Sequence, residues 1–303
     1  MSTSFNIPSP KSSWHLPLSV VVTAALWLGL GATSASATSE LDAQQIEAAI
    51  ASATNDTVMS TQQVEQDSGA RVSTEGGLSL PIGDSEAASD VVTVKPVTKS
   101  TLATLSPSGF ALFANTETSA FALSSSSAAG YSVSFDENAP TSYSYEISAK
   151  EGAASLELSD GGGVSVLDAD GNLVNSILPP WAKDATGADI ATHYTVSGNV
   201  LTQHVEHHGA TYPVVADPRF VCSGIFCTLE LSRGDTQKLA NNVLSVGGAC
   251  ALLGPAGPAC AAILVGMWGM AKIALSTGQC VGVRGVKAPI VTGMHGVYIP
   301  CYA

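Results

Sequence analysis

His204, Glu206 and His208 alternate along a stretch that reads as a strand, so their side chains fall on one face, two residues apart. Two imidazoles and a carboxylate so placed are compatible with Zn²⁺ or Cu²⁺. The same residues also make a polar hairpin edge of the kind that keeps a strand soluble. Asp168-Ala169-Asp170-Gly171-Asn172 starts like a calcium loop but lacks the later ligands and the bidentate Glu that would complete one, and a hairpin turn accounts for it. Arg233-Gly234-Asp235 follows Ser232 and reads as the capped start of a helix. Trp181, after Pro179-Pro180, reads as a packing anchor at one end of a sandwich, with a ligand platform as the alternative. The chain has no G-x-S-x-G elbow and no HExxH pair. The sequence therefore assigns no catalytic residue, no cofactor and no enzymatic activity.

Cysteine is the other reactive type, and its placement is uneven. Cys222, Cys227, Cys250, Cys260, Cys280 and Cys301 all lie in the last third of the chain. An even number confined to one region of an exported chain reads as a disulfide framework; there is no CxxC pair, and the spacings do not suit a zinc ribbon. Six cysteines allow fifteen pairings. Local proximity selects Cys222–Cys227, Cys250–Cys260 and Cys280–Cys301. The middle pair has the firmest basis, since a Gly-Pro turn between two helices brings Cys250 and Cys260 within reach.

Charge divides the chain at a similar place. The net charge is −13, which excludes nucleic acid as a partner for the bulk of the protein. Residues 38–235 carry 25 acids against seven bases, whereas the last 68 residues carry four bases and no acid. At the other end, residues 16–30 form an apolar core behind a polar start, and Ala35-Ser36-Ala37 supplies a small-x-small site. That order predicts a secretory signal peptide over residues 1–37 and an exported, extracellular product.

The elements follow from texture. Residues 38–90 read as a flexible acidic segment with one short helix from Ser39, lacking obvious partners. Residues 91–217 alternate over short runs separated by Asp-Gly and Gly-Asn turns, which predicts antiparallel hairpins over 154–167, 164–177 and 194–205. Residues 101–135 alternate poorly and read as two strands or as loose chain. After Pro218, a capped helix from Ser232 to about Leu253 and a second from Ala259 to Ser276 flank the Gly254–Pro258 stop. The tail between Cys280 and Cys301 reads as short strands or loop.

Pro179-Pro180-Trp181-Ala182-Lys183-Asp184-Ala185, then Thr192-His193-Tyr194, then Tyr212-Pro213-Val214-Val215-Ala216-Asp217-Pro218 resemble a module of uncharacterised exported actinobacterial proteins. In that module a β-rich segment precedes a variable, cysteine-containing helical hairpin tail. The resemblance covers roughly residues 90–218 and implies fold, export and lineage, but no activity.

The expected architecture is α+β: an antiparallel β-sandwich-like domain over 91–217, then a small disulfide-linked helical hairpin domain over 218–303. Two functions fit. One is a secreted, non-enzymatic binding or structural protein, extracellular or at the cell envelope, meeting the envelope or membrane surface through the C-terminal hairpin. The other is a secreted antibacterial or membrane-perturbing effector whose activity resides in residues 219–303.

Overall fold

Short alternating runs give strands, and the sheets they form stack around two buried clusters. The computed structural model describes residues 43–54, 69–75, 77–83, 90–100, 102–150, 152–242, 250–287 and 291–301. The expected signal peptide lies outside them, as do residues 55–68 of the acidic segment. In chain order the strands of the β-rich part begin with β1 Arg71–Ser73, β2 Gly77–Pro81, β3 Val91–Pro96, β4 Thr104–Leu105 and β5 Phe110–Thr116. They continue with β6 Ser119–Ser124, β7 Ala129–Ser134, β8 Ser142–Ala149, β9 Gly152–Ala153, β10 Ser155–Leu158 and β11 Val164–Leu167. The last are β12 Leu173–Ile177, β13 Trp181–Lys183, β14 Thr192–Ser197, β15 Val200–Val205 and β16 Val214–Asp217.

These strands make three antiparallel sheets. The first has the order β1-β2-β3-β8-β15-β14, with β9 beside β8; the second is β13-β16-β7-β6-β5-β4; the third is the meander β10-β11-β12. The first two face each other across a core that includes Leu80, Val94, Tyr145, Ile147 and Leu201 on one side and Phe113, Phe121, Leu123 and Val214 on the other. The third sheet closes it with Leu156, Val164, Val166 and Ile177. The predicted hairpins are present as β10-β11, β11-β12 and β14-β15.

Three parts of the sequence behave differently from expectation. Residues 71–83, read above as flexible, supply β1 and β2, because Leu78 and Leu80 are fully buried and β2 pairs with β3. Residues 104–134 form four strands rather than two. Helix α1, Ala43–Thr54, is not partnerless: Ile46, Ala49, Ile50 and Ala53 are buried in the cluster on the outer face of the second sheet, with Phe110, Leu112, Tyr131 and Val133. That sheet is covered on both faces, so β6 and β7 are buried at every position and their alternation is lost.

The remaining elements lie beyond Pro218. They are strands β17 Cys222–Ser223 and β18 Phe226–Glu230, helices α2 Arg233–Ala240, α3 Gly257–Gly266 and α4 Trp268–Ser276, and strands β19 Gln279–Lys287 and β20 Val291–Pro300. A fourth sheet, β17-β18-β19-β20, carries them, so the tail is a long hairpin rather than loop. Ser39–Ala303 forms one compact unit, and the outer cluster runs across Pro218 from Tyr131 and Val215 to Leu229, Leu264 and Val283.

Candidate functional site

The fourth sheet is amphipathic. Cys227, Leu229, Val281 and Val283 are buried, whereas Phe226, Arg284 and Val286 lie toward solvent, with the Arg284 guanidinium 5.8 Å from the Phe226 ring centre. Two disulfides fasten its edges, Cys222–Cys227 directly across β17-β18 and Cys280–Cys301 at the end of β19-β20, and a third, Cys250–Cys260, closes the entry to α3 with Cα atoms 5.7 Å apart. These are the pairs that proximity selects. All six cysteines belong to the outer cluster and none to the sandwich core. Three bridges in one chain are consistent with an oxidising compartment.

The helices differ from the expected pair in instructive ways. α2 starts at a Ser232 cap, whose Oγ accepts the Asp235 N–H at 3.1 Å, and stops after Ala240 with Asn242 in the left-handed region. Its expected extension crosses residues 243–249, outside the described residues. Residues 259–276 are not one helix: Met267 breaks them into α3 and α4, and the pair is bent by 62°. The break turns Met267 inward to 3% exposure, where a Cβ on Gly296 would meet its Sδ and Cε at 2.9 Å. The lack of a side chain at Gly296 on β20 gives the end of the methionine its room.

Turning Met267 in leaves the outer side of the pair apolar. Val265 is 62% exposed, Trp268 52% and Ile273 57%. Lys272, one turn on from Trp268, places its Nζ 4.9 Å from the centre of the indole. Trp268 and Lys272 also border a shallow cleft with Asn241 and Asn242 at the end of α2. Among the described residues no single helix is long and apolar enough to cross a membrane; α3 and α4 meet that test only together, across their bend.

The other candidate residues serve the fold. His204 hydrogen-bonds through Nδ1 to Ser142 at 3.0 Å and through Nε2 to Thr195 at 2.9 Å, and its ring stacks on His193. The strand ends at Val205, and Glu206 and His208 are exposed beyond it. Among the described residues no group of His, Cys, Asp or Glu is placed to hold a metal. The neighbour between them, His207, is the buried one, bonded to the Tyr212 hydroxyl and the Pro140 carbonyl. Asp168 accepts the N–H groups of Asp170 and Asn172 and the Lys150 ammonium at 2.7 Å; this hydrogen bonding, Lys150 foremost, holds its carboxyl down to about 2. A carboxylate so occupied is a turn-former.

Residues from the separate pieces of the 179–218 stretch meet in space. Trp181 pairs directly with Asp217 across β13-β16, and the Tyr194 hydroxyl donates to the Asp217 carbonyl at 2.9 Å. Asp184 accepts N–H groups from Thr186, Ala188 and Thr211, tying the loop after β13 to the approach to β16. Trp181 is buried, as a packing anchor is. No protein-family model, curated protein or solved structure matches the chain.

The sequence reading missed Trp268 as a surface residue because the run around it is apolar throughout and names no outer side. Its one signal was Lys272, four residues on and the lone charge in that run.

Proposed function

We propose that this is an exported, non-enzymatic protein of the cell envelope that docks on anionic lipid through the outer side of α3 and α4. The observation that carries the reading is the exposed set Val265, Trp268 and Ile273, with Lys272 against the indole. An indole beside a cation suits the headgroup level of a bilayer, where one end of the side chain is apolar and the other wet. A helix pair bent by 62° suits lying along that level. Charge agrees locally: Lys272 and Arg284 are exposed and the sequence holds no acid after Asp235, which favours an anionic surface over a neutral one. The disulfides and the expected signal peptide suit a protein that works outside the cytoplasm.

Co-sedimentation with vesicles tests this. The protein binds vesicles containing phosphatidylglycerol, binds pure phosphatidylcholine weakly, and releases as salt is raised. Trp268→Ser weakens binding by about tenfold, the equivalent of roughly 1.4 kcal/mol of lost burial. Entrapped dye stays inside throughout. Equal binding to both vesicle types refutes docking on anionic lipid, and dye release favours the membrane-perturbing effector instead.

A further inference from the structure

A second feature involves none of Val265, Trp268 and Ile273. Between the β11-β12 turn and the chain entering α3 is a cleft of about 540 Å³, within the range that holds small molecules. Leu167, Leu173, Leu252, Leu253, Pro255 and Val291 give it mostly apolar walls. Most of its polar wall groups are already engaged. The Asn175 amide donates to the Cys222 carbonyl and accepts the Cys222 and Ser176 N–H groups, Ser176 Oγ donates to the Leu252 carbonyl, and the Asn172 amide donates to Asp168.

The exception is Lys287. Its Nζ donates to the Val174 carbonyl, and an ammonium has three N–H donors. Burial pushes it down to about 8; Lys150 adds to that shift and Asp168 opposes it. Asp168 does not neutralise Lys287, because Lys150 and the N–H groups of Asp170 and Asn172 already hold its carboxylate. The cleft thus offers apolar walls and one cation whose charge is under-compensated. An anion beside that cation restores the charged amine, and an unbranched alkyl chain fills walls made of leucine, proline and valine.

We propose that this cleft binds a free fatty acid, with Lys287 holding the carboxylate and the leucine-rich walls enclosing the alkyl chain. One ammonium matches one carboxylate charge.

Calorimetric titration of the full chain with dodecanoate, kept below its micelle-forming concentration, tests this against dodecanol, which has the same chain without the charge. Dodecanoate affinity falls by about tenfold or more between about pH 6.5 and about pH 9.5, because the carboxylate stays ionised while the amine loses its proton through about 8. Lys287→Met lowers dodecanoate affinity by about tenfold at the lower pH and abolishes the pH dependence. Dodecanol binding changes with neither. Trp268→Ser leaves dodecanoate binding intact, which separates the cleft from the helix face. The proposal is overturned if wild-type protein does not bind dodecanoate, if binding is indifferent to both pH and Lys287→Met, or if the loss follows Trp268 instead. The wild-type pH comparison decides the matter even where the variant folds poorly.

Discussion

Reducing the three disulfides unfolds the fourth sheet and its helices, while the sandwich keeps a cooperative transition of its own. The bridges close separate loops, with sequence separations of 5, 10 and 21 residues. Loop-closure entropy assigns them about 2, 3 and 3 kcal/mol, roughly 8 kcal/mol together. That is comparable with the whole stability of an ordinary domain, about 5–15 kcal/mol. The part that depends on them buries small side chains at several positions, Ala240, Ala256, Ala271 and Ala274, each with far less apolar area than a leucine. The sandwich core contains no cysteine and is filled by Tyr143, Tyr145, Phe121, Ile147 and Leu201. Thermal melts with and without reductant, followed by helix ellipticity and by the near-ultraviolet signal of the buried tyrosines, check this. The helix signal is lost at a much lower temperature under reduction, and the tyrosine signal survives it. Loss of both signals together under reduction contradicts the expectation that one core stands without the other.

Phe121→Ala gives the opposite pattern. Phe121 is 1% exposed and meets Tyr143 and Tyr145 edge-on, at centroid distances of 5.6 and 5.3 Å. Truncating it leaves a cavity between the facing sheets and removes two aromatic contacts, a loss of about 3–5 kcal/mol. The loss is the same in oxidising and reducing buffer, since no bridge lies in that core. Urea unfolding read by the tyrosine signal measures it; a loss below about 1 kcal/mol, the range of an ordinary surface change, contradicts the placement of Phe121 at the centre of the core.

What the sequence made legible follows from how local each signal is. Asp170-Gly171 and Gly198-Asn199 fix their turns within a few residues, and both hairpins stand where those dipeptides place them. Cys222 and Cys227 sit opposite each other because a tight hairpin leaves no other register. The second sheet was obscure for the converse reason: helix α1 and the outer cluster bury the face that alternation would have marked polar. The break at Met267 has a local signal in the flanking Gly266 and Gly269, but the packing of Met267 against Gly296, almost thirty residues later on β20, is announced by nothing nearby. Lys287 is harder still, since the Val174 carbonyl and the Leu167 wall come from the third sheet, more than a hundred residues earlier. The His204, Glu206 and His208 pattern was legible as a pattern. What it could not show was that the strand ends at Val205 and that two hydroxyls already engage the His204 ring.

The central claim is that the outer side of α3 and α4 meets lipid, and Trp268 reports on it directly. Among the described residues the tryptophans are Trp181, buried in the fold, and Trp268, 52% exposed. The decisive measurement is fluorescence quenching by phosphatidylglycerol vesicles brominated on the acyl chain, comparing the wild-type protein with Trp268→Phe. Docking through this face predicts a blue-shifted, strongly quenched emission that is lost in Trp268→Phe while vesicle binding is largely retained. Binding with no quenching, or with the same quenching in both proteins, contradicts it.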